Sequence, residues 1–351
     1  MAKQRIFDLP VTKGSFQVAG IVSGTQKDNF FTEKKAKNGK DFRAVTFGVE
    51  VNEGSSVYLS LNGMEQDNVF YSKRGDKEKG IKPETESVPW RDRYNFSKEG
   101  FTLIGVRTGV KKVVNSKGEE VNDKKILAPF DATKEIADNL KDEASIFSRG
   151  EIEFSTYNGR HQQRFVPNQV SLCRPIDFKA DDFKQNALWT KVIIFTGVKP
   201  TEDKSEFVVS AKIVTYNTIE DAEFYIDKEH EKLAQSLRKK VKPYTAMKAF
   251  GNISIIKNVE EIEVDDEWGD ANQMELQKAP TIRKLYIDGV DPKSFDTNVY
   301  SEEKIAQALA KIAASNTAKS DFGGKPKATA SADDDWGSDS SFSVDDDELP
   351  W

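Results

Sequence analysis

"SFQVAGIVSG" (residues 15–24) returns later in the chain as "LWTKVIIFTG" (188–197). In both stretches an aromatic residue stands second, an apolar run follows, and Ser or Thr precedes a closing Gly. A polar loop then leads to an alternating segment. "RAVTFGVEV" (43–51) places Val45, Phe47, Val49 and Val51 on one side, and "FVVSAKIVTY" (207–216) does the same with Val209, Ala211 and Ile213. A period of two marks a strand with one buried face. Next come "VYLSLN" (57–62) and "EFYID" (223–227), in which Leu59 and Leu61 answer to Phe224 and Ile226.

Each copy continues with a helical stretch. In "FDATKEIADNLKDEASIFSRG" (130–150) Asp131 is the expected N-cap, and Ile136 and Leu140 share a face by i, i+4 spacing. In "IDKEHEKLAQSLRKKVKPYTAMKAFG" (226–251) the expected cap is Asp227, and Leu233, Leu237 and Val241 are spaced alike. Both helices run into Gly plus a strand, "GEIEFSTY" from 150 and "GNISIIKN" from 251. A hairpin follows in the first copy, with Asn158-Gly159 as its turn signal. The second copy's closing strand is either "VEEIEV" (259–264) or "TIRKLYIDGV" (281–290). The offsets between copies are 173, 164 and 165 at the first three strands and 101 after the helix, so the first copy carries a longer first loop and about 64 extra residues before its helix.

Three strands, a helix and two strands is the order of an OB-fold, a small Greek-key barrel. The expected class is therefore mainly β with short helices (α+β): two tandem OB-fold-like barrels, the first with a long insertion, and a disordered acidic C-terminal tail. The expected limits are 1–175 for the first domain, with the insertion at about 66–128, and 176–316 for the second, with a linker and tip over 317–351. "SEEKIAQALAKIAASN" (301–316) reads as an amphipathic helix with Ile305, Leu309 and Ile312 inward. Two unrelated α+β domains are the competing architecture.

The overall charge of −6 hides a polarity. Residues 1–175 hold 29 basic and 24 acidic side chains, 176–330 hold 23 and 26, and 331–351 hold eight acidic and no basic ones. From Thr317 onward, Gly, Ser, Ala, Lys and Asp dominate, a composition too poor in apolar surface to offset the entropy of ordering. The single cysteine, Cys173, fits a reducing compartment, and no apolar run has the length of a membrane span. A cytoplasmic protein is expected, with no membrane contact; assembly into homo-oligomers is left open.

Catalytic patterns are scarce. The chain has no GxxxxGK[ST] loop, HExxH or CxxC, and His161 and His230 stand far apart. Asp265, Asp266 and Glu267 are hard oxygen donors that could hold Mg²⁺, but acid clusters in loops are more often solvated charge. The expectation is no enzyme, no cofactor and no metal.

Binding chemistry is better represented, in three segments of the basic half. The first loop carries Phe30 and Phe31 among Lys34, Lys35, Lys37, Lys40 and Arg43. The insertion interleaves Tyr71, Trp90 and Tyr94 with Lys73, Arg74, Arg91 and Arg93, and the hairpin has Tyr157, Arg160 and Arg164 about its tip. Tyr58 alternates away from the apolar face of its strand. Cations can track phosphates while aromatic faces stack on unpaired bases, at roughly 1–3 kcal/mol per base. The pattern favours sequence-tolerant binding of single strands over base reading. Each residue also has a plainer use, as solvated charge or as local core.

The chain closes on "DDDELPW", where Asp345, Asp346, Asp347 and Glu348 run into Leu349, Pro350 and Trp351. This ending resembles the acidic tip of bacterial single-stranded DNA-binding proteins and several phage counterparts, with Trp351 in place of the usual terminal Phe and Glu348 lengthening the acidic run. The resemblance implies single-stranded DNA as ligand, a role in replication, recombination and repair, and a tip that recruits other proteins of those processes. Bacterial members usually carry one OB-fold per chain; two here suggest a phage or plasmid type. One alternative is a non-catalytic interaction protein whose acidic regions mimic DNA and occupy a host enzyme. Another is a nuclease using Asp265, Asp266 and Glu267.

Overall fold

The computed structural model describes residues 5–75, 80–157, 160–257 and 281–321. The protein is mainly β. In chain order β1 (Gly14–Ser23), β2 (Phe31–Lys35), β3 (Asp41–Asn52) and β4 (Ser55–Met64) come first. The insertion contributes β5 (Asn68–Lys73), β6 (Glu84–Pro89), β7 (Phe101–Leu103), β8 (Val106–Gly109), β9 (Lys112–Val114), β10 (Glu120–Asn122) and β11 (Lys125–Leu127). Helix α1 (Pro129–Asn139) leads to the long hairpin β12 (Ser145–Tyr157) and β13 (Arg160–Leu172). The second half has β14 (Asn186–Pro200), β15 (Glu206–Val214), β16 (Ile219–Asp227), α2 (Glu231–Lys240), β17 (Thr245–Lys257), β18 (Thr281–Asp296) and α3 (Glu302–Asp321).

Strand pairing returns on itself twice. β1 pairs β3, β3 pairs β4, β4 pairs β13, β13 pairs β12, and β12 pairs β1. In the second half β14, β15, β16, β18 and β17 pair in turn, and β17 pairs β14. In each circuit the helix sits between the third and fourth strands in chain order. "TIRKLYIDGV" is thus the closing strand of the second copy; "VEEIEV" lies outside the described residues, as does the Asn158-Gly159 turn. The inward faces follow the alternation, with Val45, Phe47, Val49, Leu59 and Leu61 buried in one circuit and Val209, Ala211, Ile213, Phe224 and Ile226 in the other. Together they form one continuous core.

The circuits meet edge to edge through β1 and β14, antiparallel, with Phe16 opposite Trp189. Phe16 also faces Gly150 on β12, and Trp189 faces Gly251 on β17. At both glycines the neighbouring strand shifts register. A Cβ on Gly150 would lie 1.9 Å from the Val166 carbonyl oxygen, and one on Gly251 would lie 2.0 Å from that of Tyr286. Only a residue without a side chain allows such an approach. The hairpins also reach across the seam. β17 touches β4, and β12 and β13 touch β16, where Phe154 meets Phe224 at 6.0 Å.

Four local expectations change. Helix α1 starts two residues before Asp131, at Pro129, whose fixed φ suits a first helical position, and Ala128 takes the cap position. Asp227 caps a 3₁₀ turn over Lys228–His230, accepting from the Glu229 amide, and α2 begins only at Glu231. In α3 Ile305 and Ala308 are buried against Phe7, Leu9 and Ile194, whereas Leu309 is 37% exposed. Helix α3 also runs on to Asp321, past the expected start of the tether at Thr317.

The insertion carries its own small core of Val69, Tyr71, Val88, Leu103 and Ala128, against which Trp90, Phe96 and Phe101 pack. β8 and β11 return to the main sheet through β13. None of the helices among the described residues is long and apolar enough to cross a membrane.

Candidate nucleic-acid interface

The outward face of β3 and β4 is built from small side chains. Cross-strand pairs Ala44–Asn62, Thr46–Ser60 and Gly48–Tyr58 lie between the inward-facing valines and leucines. Tyr58 is the aromatic side chain of this row and is half-buried. Strand β2 extends the row beyond Ala44, because Thr32 pairs Ala44 and Lys34 pairs Phe42. There the exposed Lys34 ammonium sits 5.3 Å from the Phe42 ring. On the other flank β13 runs parallel to β4, with Phe165 beside Leu59, so the exposed Arg164 borders the same face.

One cation here arrives from the second circuit. Arg283 on β18 stands 6.0 Å from the Tyr58 ring and donates to the Gln163 carbonyl oxygen at 3.3 Å. It has the inward parity of the buried Leu285 and Ile287 and lies nearer the start of β18, whose partner strand β17 touches β4. Sequence reasoning missed Arg283. The parity was readable; the circuit it would reach was not.

Two expected stacking residues are core instead. Phe30 is 7% exposed and belongs to the main core. Tyr71 is 8% exposed, donates its hydroxyl to the Arg93 carbonyl oxygen at 2.5 Å, and has its pKa raised by burial. Neither has a free ring face. Phe31 is half-buried against the core, with the Lys134 ammonium 6.0 Å from its ring.

Trp90, Arg93 and Tyr94 form a structural knot that holds the insertion on α1. The Arg93 guanidinium lies 4.3 Å from the Trp90 ring, donates to Asp131 at 2.8 and 3.3 Å, and donates to the Trp90 carbonyl oxygen at 2.9 Å. Tyr94 donates to the same carboxylate at 2.6 Å and accepts from the Ala128 amide at 3.1 Å; burial and then Asp131 raise its pKa. Trp90 also meets Phe130 edge-on at 6.0 Å.

The remaining cations differ in what they touch. Lys35 pairs Asp41 at 2.7 Å and its pKa is raised by that hydrogen bond, while Lys40 pairs Asp67 at 2.8 Å. Arg43 pairs Glu33 at 2.8 Å and lies 3.9 Å from the Phe130 ring. Arg91 pairs Asp92 at 3.1 Å and Arg164 pairs Glu153 at 2.6 Å. Exposed pairs of this kind are worth about 0–1 kcal/mol each. Lys37, Lys73 and Arg74 are exposed. The backbones of Tyr157 and Arg160 pair at the last described rung of their hairpin. Asp345, Asp346, Asp347, Glu348, Leu349, Pro350 and Trp351 lie outside the described residues, as do Asp265, Asp266 and Glu267. Among the described residues no cluster of His, Cys, Asp and Glu is arranged to hold a metal.

A depression of about 290 Å³ at the seam is lined by Leu188, Trp189, Phe250 and Phe16 with Asp288. It is apolar and has no cation in its lining, which makes it a poor site for a phosphate chain. The β3–β4 face, with Lys34, Arg164 and Arg283 around Tyr58, is the better one.

A protein-family profile described as YorF matches residues 75–325, more than two thirds of the chain. No curated protein matches the sequence. Among solved structures, the wild-type single-stranded DNA binding protein from Thermus aquaticus aligns with a TM-score of 0.36 and 7% identity, covering 80% of this chain and 93% of that one. A deletion mutant of that protein aligns with a TM-score of 0.35 and 9% identity, covering 80% and 94%.

Proposed function

The chain belongs to the YorF family, and we propose that it is a non-catalytic binder of single-stranded DNA built from two tandem OB-fold barrels. The observation that carries this reading is the β3–β4 face. Its small side chains stand low around Tyr58, whose half-buried ring is offered for stacking, and Lys34, Arg164 and Arg283 rim it with charge. Stacking on Tyr58 needs a base freed from its partner, so duplex is disfavoured, and among the described residues no array of side chains stands ready to read base edges. Lys37, Lys73 and Arg74 extend the positive surface along the same half.

The C-terminal "DDDELPW" completes the reading through its resemblance to the acidic tips of single-stranded DNA-binding proteins. Its carboxylates would steer it to basic patches on replication, recombination or repair proteins, and Leu349 and Trp351 would fill an apolar pocket there. No cofactor is required, and a bacterial cytoplasm is the setting this role implies. Digestion of poly-dT by a single-strand-specific nuclease is the test. Saturating protein should protect the polymer, and undiminished digestion would refute the proposal.

A further inference from the structure

The two circuits present opposite chemistry at corresponding faces. On β15 and β16 the outward cross-strand pairs are Val208–Tyr225, Ser210–Glu223 and Lys212–Asp221, with Asp227 opposite Glu206 at the end. Asp221, Glu223 and Asp227 are exposed and share one face of the strand, with Tyr225 between the last two, so neighbouring carboxylates stand about 7 Å apart or twice that. All three lie within about a Debye length or two of any phosphate laid across the face. Of the nearby cations, Lys212 pairs Asp221 at 2.6 Å and Lys284 pairs Glu206, both with the ammonium largely shielded, and the exposed Lys199 opposite Val208 is outnumbered by the carboxylates. The Tyr225 ring has Tyr286 at 6.0 Å and the Lys284 ammonium at 4.7 Å beside it. On β3 and β4 the corresponding row has one carboxylate, Glu50, at its end, and Glu50 accepts from the Gly54 amide at 2.9 Å.

The arms are unequal too. The second circuit's arm lays Arg283 beside Tyr58, whereas in the reciprocal contact β12 brings Thr156, which donates to Glu220 on β16 at 2.6 Å. One arm adds a cation to the opposite face; the other adds a hydroxyl that satisfies a further acid.

We infer that single-stranded DNA is held by the first circuit alone and that the second circuit serves binding only through Arg283, its own β15–β16 face excluding phosphate. This rests on the single-strand reading above. Duplication has thus supplied one binding face and one scaffold that presents an arm to it.

The full chain is photo-crosslinked to oligo-dT carrying 4-thiothymidine, and the adducts are mapped by mass spectrometry. Adducts are expected on the first circuit, including the peptide with Tyr58, and in the second circuit on the Arg283 peptide alone. In parallel, the isosteric triple variant Asp221→Asn, Glu223→Gln, Asp227→Asn should bind oligo-dT at least as tightly as the parent. Adducts on the Tyr225 peptide, or a triple variant whose affinity falls tenfold, would overturn the asymmetry while leaving single-strand binding intact. Absence of both adducts and measurable binding would remove the single-strand reading and this inference with it.

Discussion

Phe16 and Trp189 stand opposite each other across the β1–β14 seam, and each occupies the same place in its own circuit. Each faces a bulge glycine on the neighbouring strand, Gly150 and Gly251 respectively, and each ring is closed over by an aromatic of its own circuit. Phe16 meets Phe165 edge-on at 5.3 Å, and Trp189 stacks on Phe224 at 5.1 Å. The indole N–H donates to the carbonyl oxygens of Asn252 and Tyr286 at 3.1 and 3.0 Å. The pair marks an approximate twofold relation within one chain, which is why the two copies pair edge to edge instead of hanging from a linker.

The bulge glycines should tolerate no side chain. Gly251→Ala drives a methyl into the Tyr286 carbonyl, backbone that cannot yield without breaking the strand pairing. A loss of at least about 2 kcal/mol is expected in denaturant unfolding, and a similar loss for Gly150→Ala. A variant as stable as the parent would show that the close approach is not rigid.

Lys191 should give the seam a distinctive pH dependence. It is 6% exposed, donates to the Thr12 carbonyl oxygen at 3.3 Å and lies 5.1 Å from the Phe154 ring. Burial pulls its pKa down to about 8 from 10.5, against the opposing pull of Glu151 and Glu153. Below pH 8 the side chain is charged in folded and unfolded chains alike, and the full cost of burial is felt. Between about pH 8 and 10.5 the folded chain sheds the proton first, so stability rises with pH, by at most about 3 kcal/mol. Lys191→Met should remove that rise; unfolding curves of parent and variant that run parallel over this window would count against it.

Asp131 should anchor the insertion. Its carboxylate serves both Arg93 and Tyr94, and the ion pair is only about a fifth exposed on either side. Asp131→Ala leaves a half-buried guanidinium without its charged partner, at a cost of about 1–3 kcal/mol. Limited proteolysis within residues 66–128 should become faster while DNA affinity changes little. Affinity lost without a change in proteolysis would restore Arg93 and Tyr94 to the binding surface.

Tyr58→Ala should weaken oligo-dT binding by about 1–3 kcal/mol, the value of one base stacked on an aromatic ring. Arg283→Ala should weaken it less and flatten the salt dependence. Unchanged affinity in both variants would move the interface away from β3 and β4.

Deletion of residues 345–351 should leave oligo-dT affinity unreduced and abolish recruitment of a replication or repair protein. Recruitment that survives the deletion would leave the tip as a solubilising segment.

The strands were legible because their signal is local. Val45, Phe47 and Val49, or Val209, Ala211 and Ile213, alternate so plainly that no tertiary contact is needed to place them. The repeat offsets also lead to Gly150 and Gly251, which the structure places at equivalent bulges. The start of α1 was misread because Asp131 has the chemistry of a cap, while Pro129 ahead of it sets the backbone. Site residues were harder. Phe30 sits among charges in sequence, yet the chain turns it into the core, and Tyr71 and Trp90 were needed by an insertion too small to share the main core. Arg283 depends on an encounter between segments more than two hundred residues apart, and only the closed pairing of both circuits brings it to Tyr58.

The most direct measurement is an anisotropy titration of the full chain with labelled oligo-dT and with a matched duplex at several salt concentrations. Tight binding selective for the single strand is predicted, with log affinity falling against log salt by about 0.7 per phosphate contact. Equal affinity for duplex, or no binding to oligo-dT at low salt, would contradict the account.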